Sequence, residues 1–285
     1  MPAVTASDGA KLYAELHEPR RSRGASRLSI VLSCALCTTH ENWRPQVEPL
    51  CDAGARVVLW DYRGHGSSDV PEDPDAYTMA QVVDDLGRVL DWADPDEAVV
   101  LGGLSFGGLA SLHFALAHPD RVRALVLVDS GPGFKNPEAQ ARWEKGVERS
   151  AGFLEARGMK AFVASRAADT AVGLRPELAA ARAAAAAIAA QDPHGLALFA
   201  RRVAGLAAPV IDELGSIQLP SLVIVGENDE PYLRAAEVLA ARLPQAERVT
   251  IPRAGHVVNI EEVEAFNAVL IRFLQKIAGP SSEEK

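Results

Sequence analysis

Short β-branched runs alternate with longer helical patterns along most of this chain, and such a chain folds as a mostly parallel sheet covered by helices. Parallel neighbours cannot be joined by a tight turn, so each pair needs a crossover, and a helix is the usual one. The runs Leu28 to Ser33, Arg56 to Trp60, Ala98 to Leu101, Ala124 to Asp129, Leu222 to Val225 and Arg248 to Ile251 read as strands. Leu28 to Ser33 suits a sheet centre buried on both faces. The helices between them run from about Trp43 to Ala53, Met79 to Trp92, Ser105 to His118, Leu233 to Arg242 and Ile260 to Ile277. Gly54 caps the first, and Pro119 stops the third because its ring cannot continue the backbone hydrogen bonding. Near the start, Asp8-Gly9 reads as a hairpin turn between Val4-Thr5 and Lys11 to His17.

The alternation lapses from Phe134 to about Ala208, where helix formers and alanine dominate and no convincing strand is found. The expected organisation is an α/β core of residues 1–133 and 209–285 with a helical insertion, 134–208, between two parts of one sheet. The Ala-rich stretch Ala179 to Ala190 favours helix but buries little area per residue. It fits a mobile lid and an ordinary packed helical layer equally. The tail Gly279 to Lys285 is polar and expected to fray.

With 285 residues, 48% hydrophobic and 24% charged, the chain has material for a large core. Its net charge of −9 argues against nucleic acid or an anionic membrane surface as partner, since phosphate binding needs a concentrated basic face. The one dense basic cluster, Arg20, Arg21 and Arg23, reads as a solvated loop. No basic start followed by an apolar run opens the chain, and no apolar stretch approaches the ~20 residues that span a bilayer. Three cysteines, Cys34, Cys37 and Cys51, fit reduced thiols in a cytoplasm.

Chemistry enters at Gly103-Leu104-Ser105-Phe106-Gly107, a G-x-S-x-G pattern between an expected strand and an expected helix. A nucleophile raised clear of a sheet needs a strained strand-to-helix turn. Strand and helix then approach so closely that positions 103 and 107 cannot carry side chains. The helix start behind Ser105 directs free N–H groups toward any anion formed there. A Gly-rich turn with a serine N-cap is the structural alternative.

A serine hydroxyl needs a neighbour to take its proton, and histidine suits that task near neutral pH. Seven histidines compete. His17, His113, His118 and His194 lie in a strand, a helix, a helix end and the insertion. His65, in Asp61-Tyr62-Arg63-Gly64-His65-Gly66-Ser67-Ser68, suits loop shaping, and His40 follows the strand Leu28 to Ser33. His256 stands apart because Ala254-Gly255-His256 follows the last strand, at the sheet edge where open α/β folds gather ligands. Asp229 holds the equivalent place one strand earlier, where its carboxylate can accept the His256 Nδ1–H. Glu227, Glu230 and Asp129 are rivals for that role.

These segments, together with His118-Pro119-Asp120-Arg121-Val122, resemble the α/β-hydrolase fold superfamily over roughly residues 1–133 and 209–285. The resemblance implies a mostly parallel central sheet, a Ser105–His256–Asp229 triad in the superfamily's chain order, and a cap domain at 134–208. Acyl transfer by such a triad needs two N–H donors for the developing oxyanion. Phe106 N–H is the first. The second comes from the loop after Leu28 to Ser33, and alignment by the strand end gives Leu36 N–H. Many relatives carry His-Gly there, whereas this chain reads Ser33-Cys34-Ala35-Leu36-Cys37-Thr38-Thr39. Val31 to Trp43 is similar to the corresponding loop of 3-oxoadipate enol-lactonases and related esterases, with Cys34 and Cys37 as departures.

The expected activity is hydrolysis of a small-molecule carboxylic ester or lactone through an acyl-enzyme, with no metal or organic cofactor. The alternatives are a carbon–carbon bond hydrolase acting on a diketone, and a ligand-binding sensor that keeps the fold. Cys34-x-x-Cys37 could be half a zinc site or a redox pair, but no second pair accompanies it, and buried thiols near the pocket are the other reading. Trp43, Trp60, Phe134, Trp143, Phe153 and Phe199 could line an acyl pocket or belong to the core.

Overall fold

The computed structural model describes residues 3–19, 28–94 and 96–279. The Arg20, Arg21 and Arg23 cluster, and the tail beyond Gly279, lie outside the described residues. Among the described residues eight strands form one sheet: β1 (Ala3–Thr5), β2 (Lys11–His17), β3 (Ser29–Ser33), β4 (Arg56–Trp60), β5 (Val99–Leu104), β6 (Val122–Val128), β7 (Ser221–Gly226) and β8 (Ala246–Ile251). Their order is β1-β2-β4-β3-β5-β6-β7-β8. β1 pairs antiparallel with β2 and β2 with β4, while the remaining pairs are parallel.

The chain steps outward from β3 to β4 and then crosses back to β5 on the other side. β3 is therefore the switch point, and the loops leaving β3 and β5 diverge at the rim where α/β folds bind ligands. β3 is buried throughout, and its alternate residues face opposite cores. Val31 packs with Leu101, Leu125 and Val223 beneath α2 (Met79–Ala93), α3 (Phe106–Ala117) and α8 (Glu230–Arg242). Ile30 and Leu32 pack with Val57, Val126 and Ile224 beneath α1 (Arg44–Asp52) and α10 (Val263–Ala278).

Two expected elements differ in extent. β5 continues through Gly102, Gly103 and Leu104, past the expected end at Leu101. Glycines read as a turn in sequence, yet a Cβ at Gly102 would lie 2.5 Å from Leu32 Cδ2, so the strand needs glycine there to pack. The expected last helix is split into α9 (Val258–Glu261) and α10, with Glu262 between them at φ −131° and ψ 59°.

Residues 134–208 contain α4 (Pro137–Val163), α5 (Asp169–Val172), α6 (Ala179–Ala189) and α7 (Pro193–Phe199), and no strand among the described residues. Gly158, at φ 75°, breaks α4 into two pieces. These helices rest on the loops at the C-terminal rim of the sheet. Gln191, between α6 and α7, donates to Cys37 O at 2.8 Å and accepts from Gly66 N at 2.9 Å. Among the described residues no helix is long and apolar enough to cross a membrane.

The loop after β4 is held by Arg63, whose side chain is fully buried. Its guanidinium donates to Asp85 Oδ2 at 2.7 Å and Oδ1 at 2.8 Å, to Asp8 Oδ2 at 2.6 Å and to Ala76 O at 2.9 Å. That fork ties the β1–β2 turn, the β4 loop and α2 together. Removing one partner of a buried pair strands the other charge, which typically costs about 3–5 kcal/mol. Urea unfolding should therefore show Arg63→Met destabilised by about that amount, and Arg63→Met/Asp85→Leu destabilised less than Arg63→Met alone. Simple addition of the two single costs would contradict this coupling.

Candidate active site

Ser105 sits between β5 and α3 at φ 54° and ψ −114°, a conformation L-residues rarely adopt. Such strain costs on the order of 1–3 kcal/mol and persists only where the surroundings enforce it. Here they do. A Cβ at Gly103 would lie 2.1 Å from Gly107 C, one at Gly107 2.4 Å from Ser33 O, and one at Gly108 2.3 Å from Ser130 Oγ. The backbone is pinned as well: Ser105 N–H donates to Val128 O at 2.8 Å, and Ser130 Oγ donates to Ser105 O at 2.7 Å.

The loops after β7 and β8 interlock at the same rim. Asn228 N–H donates to Ala254 O at 2.8 Å, and a Cβ at Gly226 would lie 2.2 Å from Gly255 O. Glu261 receives the Gly255 N–H at 2.5 Å and the Leu174 N–H at 2.7 Å, joining the histidine loop to the segment after α5. Within this frame His256 Nδ1 lies 2.8 Å from Asp229 Oδ2, with both side chains almost wholly buried. A carboxylate there accepts the Nδ1 proton and leaves Nε2 as the free acceptor.

The three rival carboxylates separate clearly. Glu227 and Glu230 are exposed, and Glu227 accepts the Arg253 N–H at 2.9 Å. Asp129, at the end of β6 with φ 43°, is fully buried. It accepts the Gly226 N–H at 2.8 Å and the Val258 N–H at 3.4 Å, and it lies close enough to Asp229 to feel its charge. Burial, and then the Asp229 charge, push the Asp129 carboxyl well above the usual range. Two carboxylates in contact do not both ionise in a dry site.

The hydroxyl of Ser105 meets a group that sequence reasoning passed over. Tyr232 OH lies 3.4 Å from Ser105 Oγ, and the Tyr232 ring packs on His256 with centroids 4.5 Å apart. Among the described residues no hydrogen bond joins Ser105 Oγ directly to His256. The structure thus brings Asp229 and His256 into contact, while Ser105 Oγ meets Tyr232, the residue that packs on His256. The one available signal was position: Asp229 is the N-cap of α8, and a residue three further on returns to the same side of the helix.

Leu36 and Cys37 form the corner of a turn closed by Thr38 N–H on Ala35 O at 3.1 Å, with Cys37 at φ 65°. Leu36 N–H, at the first corner, is not used by that turn. Phe106 N–H opens α3, where the first amides have no intrahelical acceptor. Cys37 N–H donates to His65 Nε2 at 3.3 Å, so His65 carries its proton on Nδ1, which lies 3.3 Å from Arg63 O. Burial lowers the His65 pKa to about 4, keeping it neutral. The remaining histidines have other ties. His40 Nδ1 is 2.8 Å from Asp61, and although burial works against its charge, Asp61 and then Glu15 and Glu41 outweigh it and raise its pKa. His113 Nε2 lies 3.1 Å from Ala208 O.

Cys34, Cys37 and Cys51 are buried. Burial lifts the Cys37 thiol to about 12 and pushes the Cys34 thiol well above its ordinary value, so neither offers a thiolate. Of the aromatic candidates, Trp43 and Trp60 are core residues, donating to Ser33 O at 3.1 Å and Ser33 Oγ at 3.0 Å. Phe199 of α7 packs on Phe106 with ring centroids 5.1 Å apart, which sets the helical layer against the start of α3.

Comparison with known proteins agrees with this architecture. A family model described as alpha/beta hydrolase fold matches residues 29–263. A protein with the provisional name carbamate hydrolase RutD, from Variovorax paradoxus strain S110, is 30% identical over 278 residues, covering 94% of this chain and 98% of its own. A thermophilic esterase from Thermogutta terrifontis superposes with a TM-score of 0.81 at 26% identity, covering 98% of this chain and 99% of that one. The enol-lactonase from Burkholderia xenovorans gives a TM-score of 0.78 at 27% identity, with 96% and 99% covered.

The two buried carboxylates make opposite predictions. Asp229→Asn should lower turnover by roughly 10⁴, the scale seen when a triad acid loses its charge. Asp129→Asn, which leaves the Asp229–His256 contact in place, should change turnover by less than about tenfold. Steady-state kinetics on both variants, with melting temperatures as a folding control, check this. A larger loss at Asp129 would reverse the assignment.

Proposed function

This chain belongs to the α/β hydrolase fold family and is a hydrolase, and we propose that it cleaves carboxylic esters or lactones through Ser105, His256 and Asp229. The observation that carries the proposal is the buried 2.8 Å contact between Asp229 and His256 beside a serine held at positive φ. In the proposed cycle the substrate carbonyl settles over Ser105, and His256 Nε2 takes the hydroxyl proton as Oγ attacks. Asp229 holds the imidazole tautomer and stabilises the imidazolium. Phe106 N–H and Leu36 N–H receive the oxyanion, where loss of one donor typically costs ~10²–10³ in rate. The C–O bond then breaks, the departing oxygen takes the proton from His256, and water repeats the sequence to release the acid.

The helices of residues 134–208 act as the cap over this rim, with Gln191 and Leu174 as their ties to the oxyanion and histidine loops. The substrate is a small molecule, and the buried, unoxidised thiols of Cys34 and Cys37 favour a cytoplasmic setting. Similarity to an esterase and an enol-lactonase supports ester and lactone chemistry. Similarity to the RutD protein favours a carbamate as second substrate class, because a carbamate carbonyl is open to the same attack.

Purified protein should turn over members of a panel containing p-nitrophenyl acetate and butyrate, lactones of several ring sizes, a carbamate and a ring-fission diketone. Ser105→Ala should lose on the order of 10⁶ in turnover while its melting temperature stays near the parent's. Retention of most activity would refute the serine mechanism. Diketone cleavage without ester turnover would give carbon–carbon hydrolysis instead, and absence of turnover on every substrate would favour a sensor.

A further inference from the structure

We propose that Tyr232 is a further catalytic residue, whose phenol donates a hydrogen bond to the leaving-group oxygen and so assists poor alkoxide leaving groups. The inference rests on Ser105 being the nucleophile, and its geometry follows from the order of the strands. The oxyanion donors Leu36 and Phe106 follow β3 and β5, while Tyr232 and His256 follow β7 and β8, on the opposite side of Ser105. A carbonyl oxygen turned toward the β3 loop sends the leaving oxygen toward β7 and β8. His256 must face that oxygen to protonate it.

Tyr232 occupies the same flank. Its hydroxyl lies 3.4 Å from Ser105 Oγ, and its ring packs on the His256 imidazole with centroids 4.5 Å apart. In the tetrahedral adduct Oγ and the leaving oxygen share one carbon, so a donor beside the first stands on the flank where the second can turn to meet it. The residue is fixed in place: its N–H donates to Asp229 O at 2.9 Å, in the first turn of α8. Burial raises the phenol pKa, so the group keeps its proton and serves as a donor.

In the step itself the carbon–oxygen bond to the leaving group breaks and its electron pair passes to the departing oxygen. That oxygen takes the proton His256 carried from Ser105. The Tyr232 proton stays on Tyr232, which stabilises the charge as it develops. Assistance of this kind matters for a basic alkoxide and little for p-nitrophenolate, which leaves unaided.

The test compares kcat/KM for ethyl and p-nitrophenyl esters of one acid in the parent, Tyr232→Phe and Tyr232→Leu. The ratio of ethyl to p-nitrophenyl kcat/KM should fall about tenfold in both variants, the value of one hydrogen bond to a developing charge. A purely structural role for Tyr232 would lower both substrates together and leave the ratio unmoved, which overturns the proposal. Melting temperatures establish folding, and Tyr232→Leu supplies the ratio if Tyr232→Phe fails to fold. Activity that survives Ser105→Ala would instead mean that the serine mechanism itself is wrong.

Discussion

No side chain fits between the end of β5 and the start of α3, and the site is built on that close approach. Gly103 and Gly107 face each other at backbone distance, with the β3 loop packed against Gly107. The chain therefore passes from strand to helix in one residue, which forces Ser105 to φ 54°. A Cβ at either glycine would push the helix away, and the serine would drop back toward ordinary backbone. The same contact sets the start of α3 against Ser33 and Cys34, at the head of the loop that carries Leu36.

Around this point the fold uses buried polar contacts rather than loop length to hold its geometry. Asp129 reaches the amides of Gly226 and Val258, the two segments that flank Asp229 and His256. Glu261 binds Gly255 and Leu174, and Gln191 binds Cys37 and Gly66. Each joins a rim loop to a distant stretch of chain, so the helical layer and the rim are positioned together. Neutral His65 and charged Arg63 complete the support beneath the Cys37 turn.

Much of the fold was legible from sequence because strand and helix periods and their glycine and proline punctuation are local signals. The antiparallel β1–β2 hairpin at Asp8-Gly9, the parallel core strands and the strandless stretch 134–208 follow from them. The extent of β5 was not legible, since Gly102 reads as a breaker until Leu32 is known to lie against it. In the site, Ser105, Asp229 and His256 carry motif and strand-end signals. Tyr232, Gln191 and Glu261 carry none, because what singles them out is contact across the fold: Tyr232 meets a serine 127 residues away, and Gln191 a carbonyl 154 residues away. Asp129 was visible as a rival carboxylate, but its role depends on burial against Asp229, which a sequence does not display.

The most direct measurement is the chemical state of Ser105 itself. The folded protein is treated with a fluorophosphonate, digested and mapped by mass spectrometry, with His256→Ala treated alongside. The adduct is expected on the peptide containing Ser105 in the parent and should be nearly absent in His256→Ala. An unlabelled Ser105 in a protein that still hydrolyses esters, or equal labelling without the histidine, would contradict the account.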